Sequence, residues 1–230
     1  MLLHGIGAAV QESNAAGPLT AADRAKFTDA LICWYHAYEK SRPANESDPF
    51  SLMVLWHEIF MQLLVDFDEL ERAIGRDGPD EAADSLKYAY VWSSTIEARR
   101  CVIHGSLIYR QIGSMRIDAE PALHLPRSIF LAALAWYCYI HFEQGEHESS
   151  QDSQMPTDIL EVSLFNINPF QHSIETSVLK KGKPTLIESS PLGGLIDMLP
   201  RIGHWGISYR LARILKLLVD GDEGQHSGVA

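Results

Sequence analysis

The sequence predicts an all-α domain built as a multi-helix bundle. Apolar residues recur at every third or fourth position over several long stretches, which is the period of an amphipathic helix. No alternating period of two persists over a strand length, and no Asn-Gly or Asp-Gly turn joins two β-rich runs. The chain has 230 residues, of which 46% are hydrophobic, so it is long enough to bury a single core.

The first predicted helix begins after Thr20. Thr20 and Asp23 have the spacing of a capping box, in which side chains and backbone amides at a helix start bond to each other. Apolar and aromatic residues then follow at helical spacing: Phe27, Leu31, Trp34 and Tyr38. Residues 1–19, which precede this helix, are only weakly apolar, and we expect them to be a flexible N-terminus.

The second predicted helix starts at Asp48 and Pro49, which favour the cap and the first residue of a helix. It carries a long apolar stripe and ends before Gly75: Leu52, Leu55, Ile59, Leu63, Phe67, Leu70 and Ile74. Pro79 opens a third helix, whose apolar line is Tyr88, Trp92, Ile96, Ile103 and Leu107. We expect Gly105 to weaken or bend this third helix near its end.

The fourth predicted helix, from Ser128 onward, is apolar on nearly every face, so we expect it at the centre of the bundle. A polar stretch at about 143–158 is predicted to be a mobile acidic surface loop. The last helix has one apolar face, formed by Ile207, Leu211, Ile214 and Leu218. Residues 20–220 are therefore predicted to form a single α-helical domain, and 221–230 a flexible tail.

Charge and composition limit the partners of the chain. It carries 19 basic and 30 acidic residues, for a formal net charge of -11. Because nucleic-acid phosphates require a concentrated basic surface, we expect no direct nucleic-acid binding by this chain alone. No run approaches the ~18 consecutive apolar residues that a membrane-spanning helix requires, so we expect no membrane as a partner. Three cysteines lie in apolar helical patterns and are predicted to be buried, reduced thiols: Cys33, Cys101 and Cys138.

Known catalytic and metal-binding motifs are not recognisable. The pair His57 and Glu58 resembles the start of a zinc-protease motif, but Met61 stands where the second metal-binding histidine is required. The sequence contains no GxSxG elbow and no CxxC pair. We therefore assign no catalytic, cofactor-binding or metal-binding residue and predict no cofactor.

Histidines on or near core helices are the most informative polar residues, because a buried charged imidazole is costly. If folding brings them together, His57, His104 and His124 could form a site for acid–base chemistry or metal binding. The favoured alternative is that each buried histidine donates to a carbonyl or carboxylate and only helps to define the packing. The tryptophans are likewise predicted to be core residues: Trp34, Trp56, Trp92, Trp136 and Trp205.

Four segments resemble the regulatory, or middle homology, domain of fungal-specific transcription factors, in the branch that carries Cys-Cys-His-His zinc fingers. They are LWHEIFMQLLVDFDELERAIGRDGP (55–79), EARRCVIHGSLI (97–108), PALHLPRSIFLAALAWYCYI (121–140) and LIDMLPRIGHWGISYRLARILKLL (195–218). The resemblance implies an α-helical regulatory domain in a nuclear regulator of metabolism or of a biosynthetic gene cluster. The chain departs from the family because it lacks a zinc finger or binuclear cysteine cluster, which is the part that reads DNA bases.

Three functional hypotheses follow. The first is a transcription regulator, or a truncated regulator, of metabolism, including secondary metabolism. It would act in the nucleus through a protein partner, in a homo- or hetero-oligomer, or through a small-molecule effector; the cytoplasm is the alternative location. The second is a helical scaffold recruited as a small-molecule-binding protein or, less favoured, an enzyme in a fungal biosynthetic pathway. The third, a nonfunctional remnant, is disfavoured by the coherent helix faces.

Overall fold

The computed structural model describes residues 2–42, 48, 50–115, 121–142, 160–165, 191–202 and 206–226. Among these residues the regular structure is entirely α-helical, without a strand, which confirms the predicted fold class. The helices are α1 Leu3–Ala16, α2 Ala21–Ser41, α3 Leu52–Leu64, α4 Phe67–Ala73, α5 Pro79–Ser93, α6 Ile96–Gly113, α7 Leu125–Phe142, α8 Leu160–Leu164, α9 Pro191–Ile202 and α10 Gly206–His226.

Helices α3, α6 and α7 form the centre of the bundle. Helix α6 packs against both α3 and α7, and α9 packs along α7. Helices α1 and α2 cover α3, α4 pairs with α5, and α10 packs on α9 and α7. Nearly all residues of α7 are buried, as its apolar sequence predicted, because a helix without a polar face is stable only inside a protein.

Local capping determines where several helices begin. At the start of α2 the Thr20 hydroxyl accepts a bond from the Asp23 amide at 3.1 Å, which confirms the predicted capping box. The predicted second helix is two helices, because the Asp66 side chain caps α4 by accepting bonds from two backbone amides. The predicted third helix also divides, at Thr95, whose hydroxyl accepts a bond from the amide of Ala98. Each of these two apolar stripes is therefore shared by two consecutive helices, and both helices contribute residues to the core.

The start of α3 differs from the prediction. We expected a helix from Asp48 and Pro49, whereas α3 begins at Leu52 and Ser51 precedes it in a left-handed conformation with φ of 52°. The Asp48 carboxylate still contributes to this helix start, since it accepts a bond from the Met53 amide at 2.9 Å. Pro49 lies outside the described residues.

Both ends of the chain contain more helix than the sequence predicted. Helix α1 lies within the segment 1–19 that we expected to be flexible, and three of its side chains are buried in the core: Leu3, Ile6 and Val10. Their spacing of three and four residues places all three on one helix face. Helix α10 likewise continues beyond residue 220, into the predicted tail, and ends at His226. The loop predicted at about 143–158 lies outside the described residues.

Gly105 lies within α6 and does not end the helix. A Cβ atom at this position would come 3.1 Å from two atoms of the Trp136 indole, so glycine allows α6 and α7 to approach closely. Among the free cysteines, Cys101 and Cys138 are buried as predicted, but Cys33 is exposed. The prediction for Cys33 was wrong because α2 is an outer helix with only two buried residues. Across the described ranges, we find no helix that is both long and apolar enough to cross a membrane.

Candidate functional site

The structure brings together two of the three histidines that we considered as a site. His57 of α3 and His104 of α6 are both buried, and their Nδ1 atoms lie 2.9 Å apart. His124 lies elsewhere, just before α7, where its Nε2 atom is 3.0 Å from the carbonyl oxygen of Ser51. The three-histidine site is therefore incorrect as a set, and the favoured alternative of a local hydrogen bond describes His124.

Glu161 completes this arrangement, and our sequence analysis did not identify it. Its carboxylate lies 3.0 Å from Nε2 of His104, and the Nε atom of Arg100 donates to both carboxylate oxygens at 3.0 and 3.1 Å. Glu161 belongs to the short helix α8 and has an exposed fraction of 0%. We call these four residues, His57, Arg100, His104 and Glu161, the His–Glu cluster.

The shifted pKa values of the cluster determine which of its groups carry a proton. Burial lowers the pKa of His57 well below its usual value, and neighbouring His104 and Arg110 lower it further. Burial also lowers the pKa of His104, although the hydrogen bond and the charge of Glu161 oppose this effect. Burial alone would raise the pKa of Glu161, but His104 and Arg100 outweigh it and the pKa of that carboxyl lies below its usual value. Both imidazoles are therefore neutral and Glu161 is ionised.

One hydrogen-bond direction follows from these charges. An ionised Glu161 accepts a bond from the Nε2 hydrogen of His104, which leaves the His104 Nδ1 atom as an acceptor. His57 then donates from its own Nδ1 atom, and its Nε2 atom carries a lone pair. That Nε2 atom is buried and has no hydrogen-bond partner among the described residues.

Aromatic rings enclose the cluster. The His104 ring stacks on Phe60, with centroids 4.5 Å apart, and Trp56 meets His57 edge-on at 5.1 Å. Phe165 follows α8 and lies 5.1 Å from the His57 ring. Because both histidines are almost fully buried, the arrangement can hold a carboxylate or a proton but does not expose a reacting group to solvent.

A second buried carboxylate lies next to His57 in sequence but belongs to a different network. Glu58 accepts a bond from the Ser128 hydroxyl at 2.5 Å and one from the Gln62 amide at 3.2 Å. Burial raises the pKa of Glu58, while Ser128 and Arg127 partly oppose this effect. Glu58 therefore joins α3 to α7, whereas His57 joins α3 to α6.

Metal binding has no candidate in the described part of the chain, and the two buried cysteines are not suited to thiol chemistry. Within these ranges no group of three or more His, Cys, Asp or Glu residues is placed to hold a metal ion. Burial raises the pKa of the Cys101 and Cys138 thiols, which disfavours the reactive thiolate. Trp56, Trp92 and Trp136 are buried as predicted, and Trp34 is partly buried. Trp205 lies outside the described residues.

An open apolar groove of about 580 Å³ runs beside α10. Its walls are apolar residues of α7, of the end of α4 and of α10: Ile74, Phe130, Leu131, Ile207, Leu211, Ile214 and Leu218. We call this feature the α10 groove. All four residues of the apolar face predicted for the last helix line the groove, whereas the residues of α10 buried in the core are Ser208, Ala212 and Leu215.

Cations surround the α10 groove, although the chain as a whole is acidic. Arg76 and Arg127 lie along its far side, where Arg76 also pairs with Asp68 at 2.6 Å and with Glu71 at 2.9 Å. On α10 itself, the exposed residues Arg210 and Arg213 lie on the side of the helix next to the apolar face, whereas Lys216 lies on the opposite side. The groove therefore combines apolar walls with a basic margin.

Comparisons with known proteins give no relative. No family model matches the chain, and neither a curated protein nor a solved structure matches it. The geometry of the His–Glu cluster and of the α10 groove is therefore the basis for assigning a function.

Proposed function

We propose that this chain is the regulatory domain of a transcription regulator of metabolism and that it acts by protein association at the α10 groove. The observation that carries the proposal is the placement of the apolar face of α10, which lines an open groove, while only Leu211 and Leu218 of this face also pack partly against the core. Within the groove, Ile207 remains 51% exposed and Ile214 remains 44% exposed. Exposed apolar surface of this kind is typical of interaction sites.

The occupant we propose is an amphipathic helix of a partner protein with acidic residues beside its apolar face. Ile207, Leu211, Ile214 and Leu218 have the spacing of a coiled-coil seam, which accepts the side chains of a second helix. The basic margin formed by Arg127, Arg210 and Arg213 complements an acidic flank. The resemblance of four sequence segments to the regulatory domain of fungal-specific transcription factors supports the same role.

The proposed role does not require this chain to touch DNA. Its net charge of -11 opposes binding to phosphates, so a partner or another segment would bring it to a promoter. Such a chain is expected in the nucleus, which fluorescence imaging of the tagged protein would test.

Binding of designed peptides tests the groove directly. One peptide carries leucine on one helix face with flanking glutamate, and its matched control carries lysine in place of glutamate. We expect the acidic peptide to bind at least about tenfold more tightly at low salt, because its charges complement the basic margin. Ile214→Asp should abolish this binding, whereas Val91→Asp, at a residue that is 61% exposed on α5, should not. Equal binding of both peptides, or binding of neither, would overturn the assignment of the occupant.

A tethered reporter tests the regulatory role. The chain is fused to an unrelated DNA-binding domain, and expression from a promoter with that domain's site is measured. We expect a change in expression that Ile214→Asp removes and Val91→Asp retains. A wild-type fusion without any effect on expression would contradict a regulatory function, even if the peptide binds.

The groove also has a volume within the range of small-molecule sites, which is about 300–1,000 Å³. A small apolar effector would therefore compete with the partner helix for the same walls. Competition between the acidic peptide and candidate metabolites, followed by fluorescence anisotropy, separates ligand response from protein association alone.

A further inference from the structure

We propose that the His–Glu cluster is a binding site for a small aromatic carboxylic acid, and that Glu161 occupies this site as an internal ligand. The site lies apart from the α10 groove and shares no residue with it, so the two proposals can fail independently.

The carboxylate of Glu161 is held as a bound anion would be held. Arg100 donates to both of its oxygens at 3.0 and 3.1 Å, and His104 lies 3.0 Å away. The Glu161 side chain is 1% exposed, so these bonds form out of water, where bonds to a charged group are strong. The donors belong to α6, a central helix of the bundle, and the same donors can bind a carboxylate that is not part of the chain.

The segment 160–165 also presents an aromatic ring to the site. Phe165 lies 5.1 Å from the His57 ring and 5.7 Å from the Trp56 ring. Tyr35 lies 5.7 Å from Phe165 and 5.6 Å from Trp56, so the three rings pack against one another. A ligand that combines a carboxylate with an aryl group would reproduce the two groups by which this segment occupies the site.

One polar atom of the site is left unsatisfied by the internal ligand. The Nε2 atom of His57 is buried and accepts no hydrogen bond from the described residues. Buried polar atoms are nearly always paired, so an unpaired one indicates a missing partner. An acid that carries a hydroxyl group in addition to its carboxylate would supply the donor that the segment 160–165 lacks.

The segment 160–165 is suited to exchange with a ligand. Leu160, Leu164 and Phe165 are only partly buried, and the bond from the Tyr35 hydroxyl to the Leu164 carbonyl is long, at 3.5 Å. The main anchor is thus the Glu161 carboxylate, and a carboxylate ligand that replaces it would restore the same buried pair with Arg100 and leave no charge unpaired. An isolated helix of five residues is not stable in water, so displacement would unfold α8.

Chemical rescue tests the site. Glu161→Ala should lower the melting temperature, and sodium phenylacetate should raise it again with increasing concentration at constant ionic strength. Phenylacetamide, which has the same ring but no charge, should not rescue. The double variant Arg100→Gln with Glu161→Ala should also lose the rescue. A folded Glu161→Ala protein that phenylacetate does not stabilise, or one that both solutes stabilise equally, would overturn the proposal.

Hydrogen exchange of the wild-type protein tests displacement and does not depend on the variants folding. We expect phenylacetate to increase amide exchange at residues 161–165, while the buried amides of α7 remain protected. 4-Hydroxyphenylacetate should act at lower concentration than phenylacetate, because its hydroxyl can donate to the lone pair of His57. Exchange at 161–165 that stays unchanged up to the solubility limit of both acids would show that Glu161 is a permanent structural contact, and would overturn the proposal.

Discussion

The His–Glu cluster and the α10 groove reverse the usual distribution of polar and apolar residues in opposite ways. The cluster places an ionised carboxylate and two histidines where the exposed fraction is close to zero. The groove leaves the side chains of Ile207 and Ile214 about half exposed on the surface of an acidic chain. A buried charge is unfavourable unless another group pairs with it, and an exposed apolar patch is unfavourable unless another surface covers it. The two regions differ in whether that partner group lies within the chain.

The cluster has most of its partners inside the chain. Arg100, His104 and Glu161 satisfy each other, and only one atom of His57 is left without a bond. The groove has no occupant among the described residues, so a surface that covers its apolar walls has to come from outside those residues. We therefore expect polar groups inside this bundle to affect its stability, and apolar groups on its surface to affect the association proposed above.

Removing an imidazole from the cluster should have the largest effect. His104→Ala leaves a cavity, removes a partner of Glu161 and leaves a second unpaired nitrogen on His57. We expect the free energy of unfolding to fall by about 3 kcal/mol or more, measured by urea denaturation. His36→Ala, at an exposed histidine on α2, is the control and should have little effect. Similar stability of the two variants would show that the cluster contributes nothing.

Close packing beside the cluster should give the next largest effect. In Gly105→Ala, the new methyl group would lie 3.1 Å from the Trp136 indole, and either α7 or the indole has to shift. We expect a loss of about 1–3 kcal/mol in the free energy of unfolding. Gly193→Ala is the matched control, since no atom lies within 4 Å of a Cβ added there and alanine favours a helix. A stable Gly105→Ala protein would show that α6 and α7 can separate at little cost.

The pH dependence of stability should also originate in the cluster. Below a pH of about 6.5 the histidines of the unfolded chain take up protons, while buried His57 and His104 stay neutral because their pKa values are lower. The unfolded state then binds more protons than the folded state. The free energy of unfolding should therefore decrease as the pH is lowered, by at most about 1.4 kcal/mol per pH unit for each histidine. The lowered pKa of Glu161 adds a loss only below its ordinary pKa of 4.5, whereas the raised pKa of Glu58 opposes the histidine effect above 4.5.

Urea denaturation at several pH values between 7.5 and 5.5 measures this slope, with the pH range chosen around the ordinary histidine pKa of about 6.5. His57→Gln removes one of the two buried imidazoles and should make the slope shallower. His36→Ala should leave it unchanged. A wild-type slope of zero below the ordinary pKa would mean that the buried histidines are charged in the folded protein.

The sequence predicted features that depend on neighbouring residues. The capping box of Thr20 and Asp23 needs only four consecutive positions, and the central place of α7 follows from its composition. The cluster could be predicted only in part. His57 and His104 were noticed because imidazoles are rare in apolar helices, but Glu161 lies 57 residues after His104 and no spacing connects them. Only the tertiary packing of α8 brings its carboxylate to α6.

The packing of α10 also could not be predicted from its pattern. The apolar face at Leu211 and Ile214 was identified correctly, but an apolar face indicates only that a helix packs against something. The face that meets the core contains Ser208 and Ala212, which are small enough for α10 to approach the helices beneath it closely. Leu215 is the large apolar residue that anchors this core face, and the remaining apolar face of the helix lines the groove.

A substitution in the groove should have the smallest effect on stability. Ile214→Asp places a charge on a side chain that is already 44% exposed, so we expect the free energy of unfolding to change by less than about 1 kcal/mol. Its neighbour Leu215 is 1% exposed, and Leu215→Asp should destabilise α10 strongly because a buried charge has no partner there. Urea denaturation compares the two variants, which differ by one position along the same helix. If Ile214→Asp were the more damaging, the apolar face of α10 would belong to the core, and the groove would lose its role in association.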